Sequence, residues 1–333
     1  MSKSQSGPKR PTRTASATKK STTSKNNPNS KNNAKRTAQH DEPARFRTRH
    51  PVLTALVPVG LVVAAIATMV VIKAAGNANP PASASASSSH LATDGSSTTA
   101  HSGATALSPQ VLAALTVPTA TLDAVGSPSS VVLPTKVGDG TIAKGADGKP
   151  LITYIGAEYC PFCAAERWSL AVALSRFGTF ENLSGTHSSD TDEFPGTQTL
   201  SFYGSSYSSP YVDFQPVEEA TNQPDGSSYQ ALQSPTAAQS ALMAKYDTQG
   251  SIPFLDIANR FVITGSSFSP QVLQGLSRSQ IAADLSNPDS PVAQAIDGAA
   301  NDITAAIVSV TGNQPTTVSS SAAIAAIAQK LGA

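Results

Sequence analysis

Hydrophobic residues cluster in a few segments of the chain, and their spacing within each segment predicts its structure. The longest apolar segment, 52–72, has 21 residues and no charge. A short apolar run at 151–155 (LITYI) is typical of a buried strand. The segment that follows is apolar on nearly every side from Leu170 to Leu174, which predicts a helix that is covered on more than one face. Phe177 and Gly178 come next and predict the end of this helix.

The rest of the pattern predicts an α/β fold. Further strands are predicted at 197–203, 210–217 and 261–265, and further helices at 108–115, 117–126, 236–246, 277–285, 291–310 and 318–331. Residues 204–209 are expected to link two of the strands as a hairpin or a bend. Two polar stretches, 188–193 and 222–228, are predicted to be exposed loops.

Candidate chemistry lies between the strand at 151–155 and the helix after it. The chain has only two cysteines, Cys160 and Cys163, in the sequence C-P-F-C. Cysteines at this spacing at a helix start are close enough to form a disulfide without backbone movement. The free N–H groups and the positive dipole end of the helix favour the thiolate of the first cysteine. Cys160 is therefore the predicted nucleophile of a redox dithiol, and Cys163 is the resolving thiol.

Three other interpretations of the cysteines involve no redox chemistry. A structural zinc site needs about four ligands, whereas the chain has no further cysteine and its five histidines show no ligand spacing. No metal site is therefore predicted. A purely structural disulfide and a pair of inert thiols stay open as alternatives.

Two segments resemble a known superfamily. Residues 156–163 (GAEYCPFC) are similar to the thioredoxin pattern W-A-E-W-C-G-P-C, with a central dipeptide closer to that of glutaredoxins. Residues 250–257 (GSIPFLDI) resemble the thioredoxin-fold segment in which a cis-proline opens a strand and faces the cysteine pair. The resemblance covers about 107–290. Together with the apolar segment at 52–72, it makes the chain look like a member of a family of membrane-anchored thioredoxin-like proteins.

The resemblance implies a fold and a mechanism. The fold would be thioredoxin-like, a central mixed sheet flanked by helices, with extra C-terminal helices. Cys160 and Cys163 would exchange bonds with protein thiols and disulfides, and would need no cofactor besides their own redox-active disulfide. The backbone of Ile252 and the ring of Pro253 would bind an extended substrate strand.

Three charged residues near the motif are candidates for tuning the pKa of the thiols. Glu166 and Arg167 follow Cys163 on its side of the helix, where Arg167 would lower a thiol pKa and Glu166 would raise it. A local ion pair near the motif is the alternative interpretation. Thioredoxins often carry a buried acid on the preceding strand, a place that Tyr154 takes here. Glu158 is closer in sequence to the motif but is expected to point elsewhere.

Charge divides the chain into two unequal parts. Residues 1–50 hold 13 Lys and Arg against two acids, and the remainder holds 10 bases against 20 acids. Low hydrophobicity with high net charge predicts that 1–50 is a disordered arm. Because the arm has almost no aromatic residues and precedes the apolar segment, attraction to anionic lipid is favoured over binding to nucleic acid. A solvated tail that only fixes the topology is the alternative.

The apolar segment is long enough to cross a bilayer, so 51–73 is predicted to be a single transmembrane helix through residues 52–72. The segment exceeds the roughly 7–15 apolar residues of a cleavable signal peptide, which favours an uncleaved signal anchor. The basic arm predicts a cytoplasmic N-terminus and an extracytoplasmic C-terminal domain at the cell membrane. Residues 74–106, rich in Ser, Ala and Thr, are a predicted linker. The thioredoxin-like domain would cover 107–290, and a helical extension 291–333.

Together these features predict a membrane-tethered thiol–disulfide oxidoreductase, either an oxidase or isomerase or a reductase. Its substrates would be extracytoplasmic protein thiols or disulfides, and a membrane redox protein is a further partner compatible with the tether. No nucleic-acid partner is predicted. The alternative function is a thioredoxin-fold binding or scaffold module without redox turnover.

Overall fold

The computed structural model describes residues 103–333. The predicted basic arm, the predicted transmembrane helix and most of the predicted linker lie outside the described residues. Among the helices within 103–333, none has the length and hydrophobicity that are required to cross a bilayer.

The described residues form an α/β fold. The helices are α1 Pro109–Ala114, α2 Thr119–Val125, α3 Pro161–Leu174, α4 Ala237–Tyr246, α5 Arg278–Asp284, α6 Pro291–Val310, α7 Thr316–Ser319 and α8 Ala322–Leu331, with a 3₁₀ turn at Pro270–Leu273. The strands are β1 Thr105–Ala106, β2 Thr135–Lys136, β3 Leu151–Gly156, β4 Thr179–Glu181, β5 Ser184–His187, β6 Gln198–Ser201, β7 Ser206–Ser208, β8 Asp213–Glu218, β9 Ala220–Asp225, β10 Ser228–Ala231, β11 Phe254–Ile257 and β12 Phe261–Thr264.

The central sheet has five strands in the order β2-β12-β11-β3-β8. β3 and β8 run parallel, while the other neighbouring pairs are antiparallel, so the sheet is mixed. A parallel pair needs a long crossover connection, which here contains α3 and strands of two small antiparallel sheets, β1-β5-β6 and β4-β7. The predicted α/β class with a central mixed sheet is confirmed.

The two faces of the sheet bury different side chains because the residues of a strand alternate in direction. On one face, Ile152 and Leu255 belong to the main core, which also contains residues of α3 and α6. On the other face, Ile155, Phe254 and Val262 pack against partly buried side chains of α4. The end of β3, from which the chain leads to Cys160, is therefore held by packing on both sides.

Helix α3 is covered on nearly every side, as its sequence predicted. All of its residues except Phe162 are buried. Trp168 donates from Nε1 to the carbonyl of Gln198 at 3.0 Å, and the Thr199 hydroxyl donates to the carbonyl of Ala164 at 2.7 Å, which binds the helix to β6. Its α-helical part ends at Leu174, before the predicted end, because the Phe177 N–H bonds to the carbonyl three residues earlier and forms a tighter turn.

Several local predictions differ from the structure. Residues 222–228, predicted to be an exposed loop, belong largely to the hairpin of β9 and β10. Of the two forms predicted for residues 204–209, the hairpin is wrong, because β7 within them pairs with β4. The helix predicted at 318–331 is divided at Ser321, whose hydroxyl accepts the N–H of Ile324 and so begins α8. The helices after 290, expected as an extension, share the main core through residues such as Ile303 and Ile327.

Candidate functional site

Cys160 occupies the position immediately before helix α3, where its side chain caps the helix. The Cys163 N–H donates to Cys160 Sγ at 3.2 Å. Pro161 suits the first helical position because it has no N–H to leave unbonded and its φ is already helical. The local sequence therefore directs backbone N–H and the positive end of the helix dipole at the Cys160 sulfur.

The two thiols differ in exposure and in acidity. Cys160 is 5% exposed and Cys163 is 0% exposed, and both are free cysteines. The hydrogen bond between the two thiols lowers the pKa of Cys160, helped by the Cys163 N–H and the Arg167 charge and opposed by burial. Burial raises the pKa of Cys163 well above its usual value, and the Cys160 thiol adds to this effect. The arrangement favours a thiolate on the outer sulfur and a protonated inner thiol.

The segment containing Ile252 and Pro253 lies against the outer sulfur. The Ile252–Pro253 peptide is cis, and β11 begins at the next residue. The Cys160 thiol donates to the carbonyl oxygen of Ile252, with 3.7 Å between Sγ and the oxygen. Pro253 is buried, whereas Ile252 is partly exposed. The structure thus brings together the two segments that the sequence singled out, although 92 positions separate them along the chain.

Arg167 forms an ion pair that sequence reasoning missed. Its Nε and Nη2 donate to the two carboxylate oxygens of Glu218, each at 2.7 Å, and both side chains are 0% exposed. Burial raises the pKa of Glu218, but a guanidinium that donates to both oxygens favours the carboxylate. Glu218 ends β8, the strand parallel to β3, and only the long-range pairing of these strands brings it under the cysteines.

Glu166 has a different partner from its neighbour in the sequence. Its carboxylate accepts hydrogen bonds from the N–H and the hydroxyl of Ser267, at 2.8 Å and 3.1 Å. Burial raises the pKa of Glu166 to about 7, against the effect of these two bonds. Glu166 therefore fixes the loop after β12, and the expected local ion pair near the motif is replaced by two separate long-range contacts.

Glu158 and Tyr154 are both 0% exposed in the layer behind the motif. The Thr186 hydroxyl donates to Glu158 at 3.4 Å, and the charge of Glu158 contributes to the raised pKa of Glu218.

Burial raises the pKa of Tyr154 well above its usual value, and its hydroxyl is within electrostatic range of both cysteines. A Cβ atom at Gly156 would lie 2.2 Å from the Tyr154 hydroxyl oxygen, so glycine leaves the space for this ring.

Aromatic rings line the surface around the motif. Tyr159 stacks on Tyr229 of β10, with ring centroids 4.3 Å apart, and the Tyr229 hydroxyl donates to Ser189 Oγ at 2.7 Å. Phe162 meets Phe194 edge to face at 5.8 Å. Neither Tyr229 nor Phe194 was predicted to be near the motif. Their polar flanking residues predicted only exposed loops, and no local signal in the sequence connects them to it.

Within residues 103–333, no group of three or more His, Cys, Asp and Glu side chains is arranged to hold a metal ion.

Comparison with known protein families gives one match. The family model described as "Domain of unknown function (DUF929)" matches residues 142–309, about half of the chain. The matched region contains both cysteines, the cis-proline segment and Glu218. No curated protein and no solved structure matches the chain. The chain belongs to the DUF929 family.

Proposed function

We propose that the described domain has a thioredoxin-like fold and acts as a thiol–disulfide oxidoreductase. The observation that carries the proposal is the contact of Cys160, at the start of the helix that follows the central strand, with the cis peptide Ile252–Pro253. The order of elements supports the fold: β3, the C-x-x-C motif and α3 come first, followed later by the proline, β11 and an antiparallel β12.

The proposed reaction is disulfide exchange in two steps. The Cys160 thiolate attacks one sulfur of a substrate disulfide, so that the substrate S–S bond breaks, a Cys160–substrate disulfide forms and the departing substrate thiolate takes up a proton. Cys163 then loses its proton and attacks the Cys160 sulfur, which releases the second substrate thiolate. The substrate has gained two electrons, and the Cys160–Cys163 pair has lost them. The reverse sequence donates a disulfide to a substrate dithiol.

The geometry supports a division of roles between the sulfurs. Cys160 as a residue is 5% exposed and Cys163 is 0% exposed, so a partner would reach Cys160 before Cys163. Cys163 is buried and its thiol is hydrogen-bonded to Cys160, in the position of a resolving thiol. Pro253 lacks an N–H, and the adjacent backbone of Ile252 would pair with an extended substrate segment. The Arg167 charge lowers the pKa of both thiols and so favours each attacking thiolate.

We propose a membrane location for this activity. The 21 uncharged residues at 52–72 and the 13 basic residues before them support a single-pass anchor with the domain outside the cytoplasm. A lowered Cys160 pKa stabilises the reduced dithiol, which favours donation of disulfides in an oxidising compartment. Labelling of intact cells with a membrane-impermeant thiol reagent, after reduction, should modify Cys160. Labelling that occurs only after lysis would contradict the proposed orientation.

A binding module without turnover is the second candidate function. The low exposure of the Cys160 residue, 5%, favours it, because a substrate disulfide needs access to the nucleophile. In that case substitution of either cysteine would leave partner capture unchanged.

The test that separates the two functions is trapping of mixed disulfides by the full-length chain in its membrane. Cys163→Ser should accumulate covalent complexes that reductant releases, because the resolving thiol is absent. Cys160→Ser is the matched control and should trap nothing, although it retains the other thiol. Equal yields of covalent complex from both variants, or none from Cys163→Ser, would refute the oxidoreductase. The trapped proteins, identified by mass spectrometry, would give its substrates.

A further inference from the structure

A cleft of about 360 Å³ is lined by Phe162, the residue just before Cys163 in the motif. One wall contains Phe162, from within the C-P-F-C motif, and Phe194, which meets it edge to face. Another wall contains Val132, which is 61% exposed. Val132 is exposed and the two phenylalanines are partly exposed, and apolar side chains that reach solvent together are typical of a binding surface. The cleft therefore offers apolar contact to a side chain from another molecule.

The floor of the cleft is fixed before any ligand arrives. Residues 266–269 line it. The buried Glu166 carboxylate accepts two hydrogen bonds from Ser267, and the carbonyl of Ser267 accepts the Val132 N–H at 2.8 Å. The Ser266 hydroxyl donates to the carbonyl of Phe268 at 2.6 Å. A preformed pocket loses little conformational freedom on binding and can therefore select between ligands.

The cleft is continuous with the proposed substrate strand. The Gly265 N–H donates to the Pro253 carbonyl at 2.8 Å, so the loop that forms the floor starts beside the cis-proline. Phe162 lies two positions after Cys160. An extended substrate advances about 3.3 Å per residue, so side chains close to its own cysteine can reach the cleft.

The charged side chains around the cleft are negative. Glu193 lines it, and Asp190 and Asp192 are exposed in the same loop. Its lining contains no Lys or Arg. Across 103–333 the sequence has 9 Lys and Arg against 19 Asp and Glu. Such a surface attracts cationic segments and repels acidic ones.

We propose that this cleft selects the substrate of the dithiol: it binds a large apolar side chain close to the substrate cysteine, with a neighbouring lysine or arginine facing Glu193. This inference rests on the proposed oxidoreductase function and names its substrate class. The preferred partners are cationic polypeptides with an apolar residue near the reacting cysteine.

The test uses two synthetic peptide disulfides and the purified full-length protein in detergent. In one peptide Leu and Lys flank the cysteine, and in the other Ser and Glu flank it. The reduced wild-type protein should reduce the Leu/Lys peptide about tenfold faster, as expected for burial of one apolar side chain. Phe194→Ala and the surface variant Glu193→Lys should each bring the ratio of the two rates towards one. Leu112→Ala, which truncates an apolar side chain 42% exposed on α1, is the matched control and should keep the wild-type ratio.

Equal rates for the two peptides with the wild-type protein, or a ratio that both variants leave unchanged, would overturn the assignment of the cleft while leaving the dithiol chemistry in place. Reduction of neither peptide disulfide by the reduced protein, together with no transfer of the Cys160–Cys163 disulfide to thiol forms of the same peptides, would instead refute the proposed function. If neither peptide reacts, the preference of the cleft is tested by the binding of cysteine-free versions of both peptides to the wild-type protein. Tighter binding of the Leu/Lys peptide supports the cleft, and equal binding overturns it.

Discussion

Two regions of the molecule bury carboxylates in opposite ways. Under the dithiol, Glu218 is 0% exposed and receives two hydrogen bonds from the equally buried Arg167. In α6, Asp297 is also 0% exposed, but neither of its oxygens has a hydrogen-bond partner among the described residues. Burial raises the pKa of Asp297 to about 8. The first carboxylate keeps its charge because it has a partner, and the second is protonated at neutral pH because it has none.

The comparison shows what each region contributes. Burial of an ion pair costs desolvation free energy, and well-packed apolar residues of similar size often stabilise a fold as much. Here the pair includes Arg167, whose positive charge lowers the pKa of both thiols. A lone buried acid has no such effect on chemistry. It instead makes the stability of the helical layer dependent on pH.

The largest effect is expected from Arg167→Met. Glu218 would then be a buried charge without a partner, which should lower the free energy of unfolding by about 3–5 kcal/mol. Urea unfolding followed by the fluorescence of Trp168, the only tryptophan, measures the change. The double variant Arg167→Met/Glu218→Leu is the control and should recover most of the loss. A single variant as stable as the wild type would mean that the pair carries no charge.

A smaller effect of the opposite sign is expected from Asp297→Asn. The folded pKa is about 8 and the ordinary value is 3.8. Since folding favours the protonated acid, its contribution to stability is complete below pH 4 and is lost as the pH rises through 8. At pH 9 the variant should be more stable than the wild type by roughly 2–4 kcal/mol.

Below pH 4 the Asp297→Asn variant and the wild type should unfold at nearly the same urea concentration. Asp289→Asn, at an exposed position just before α6, is the matched control and should follow the wild type at every pH. If the Asp297→Asn and wild-type curves of stability against pH run parallel, Asp297 is ionised in the folded protein and the comparison fails.

Two tyrosines test the same contrast between partnered and unpartnered groups. The buried Tyr154 hydroxyl has no hydrogen-bond partner among the described residues, whereas the Tyr207 hydroxyl donates to the Leu174 carbonyl at 2.9 Å. Tyr154→Phe should raise the free energy of unfolding by about 1 kcal/mol, and Tyr207→Phe should lower it by about 1 kcal/mol. A loss of stability in both variants would show that Tyr154 has a partner in solution.

The smallest expected effect concerns the acidity of Cys160. Its pKa is lowered chiefly by the Cys163 thiol and less by Arg167. The Cys163→Ala variant should therefore raise the pKa of Cys160 more than the double variant Arg167→Met/Glu218→Leu does. The rate of alkylation by iodoacetamide as a function of pH gives both values. A larger rise in the double variant would make the ion pair the main cause of the low pKa.

The elements around the motif were predictable because their signals are local. The apolar run before Cys160 predicted β3, and the apolar residues after it predicted α3. The helix predicted at 277–285 was equally predictable, since the hydrogen bonds of its capping box, between Ser277 and Gln280, lie within one turn. The hairpin of β9 and β10 was missed because its residues are polar, and its stability depends on contacts such as the stacking of Tyr229 on Tyr159.

The partners of the charged residues were not predictable. The sequence placed Glu166 and Arg167 next to Cys163 but gave no sign that one would bond to Ser267, 101 positions away, and the other to Glu218, 51 positions away. Nothing in the pattern of residues 213–218 distinguishes an exposed acid at a strand end from a buried one. The parallel pairing of β8 with β3 decides this, because it places the strand end under the start of α3.

The sequence by itself determined which residues form the strand, the helix and the dithiol, since turn propensity, helix capping and apolar spacing act over a few neighbouring positions. Only the tertiary structure decided which sulfur is accessible, which charges are paired and where the cleft opens. These properties depend on burial and on contacts between segments that are distant in the chain, and they arise only when the sheet and its covering helices are assembled.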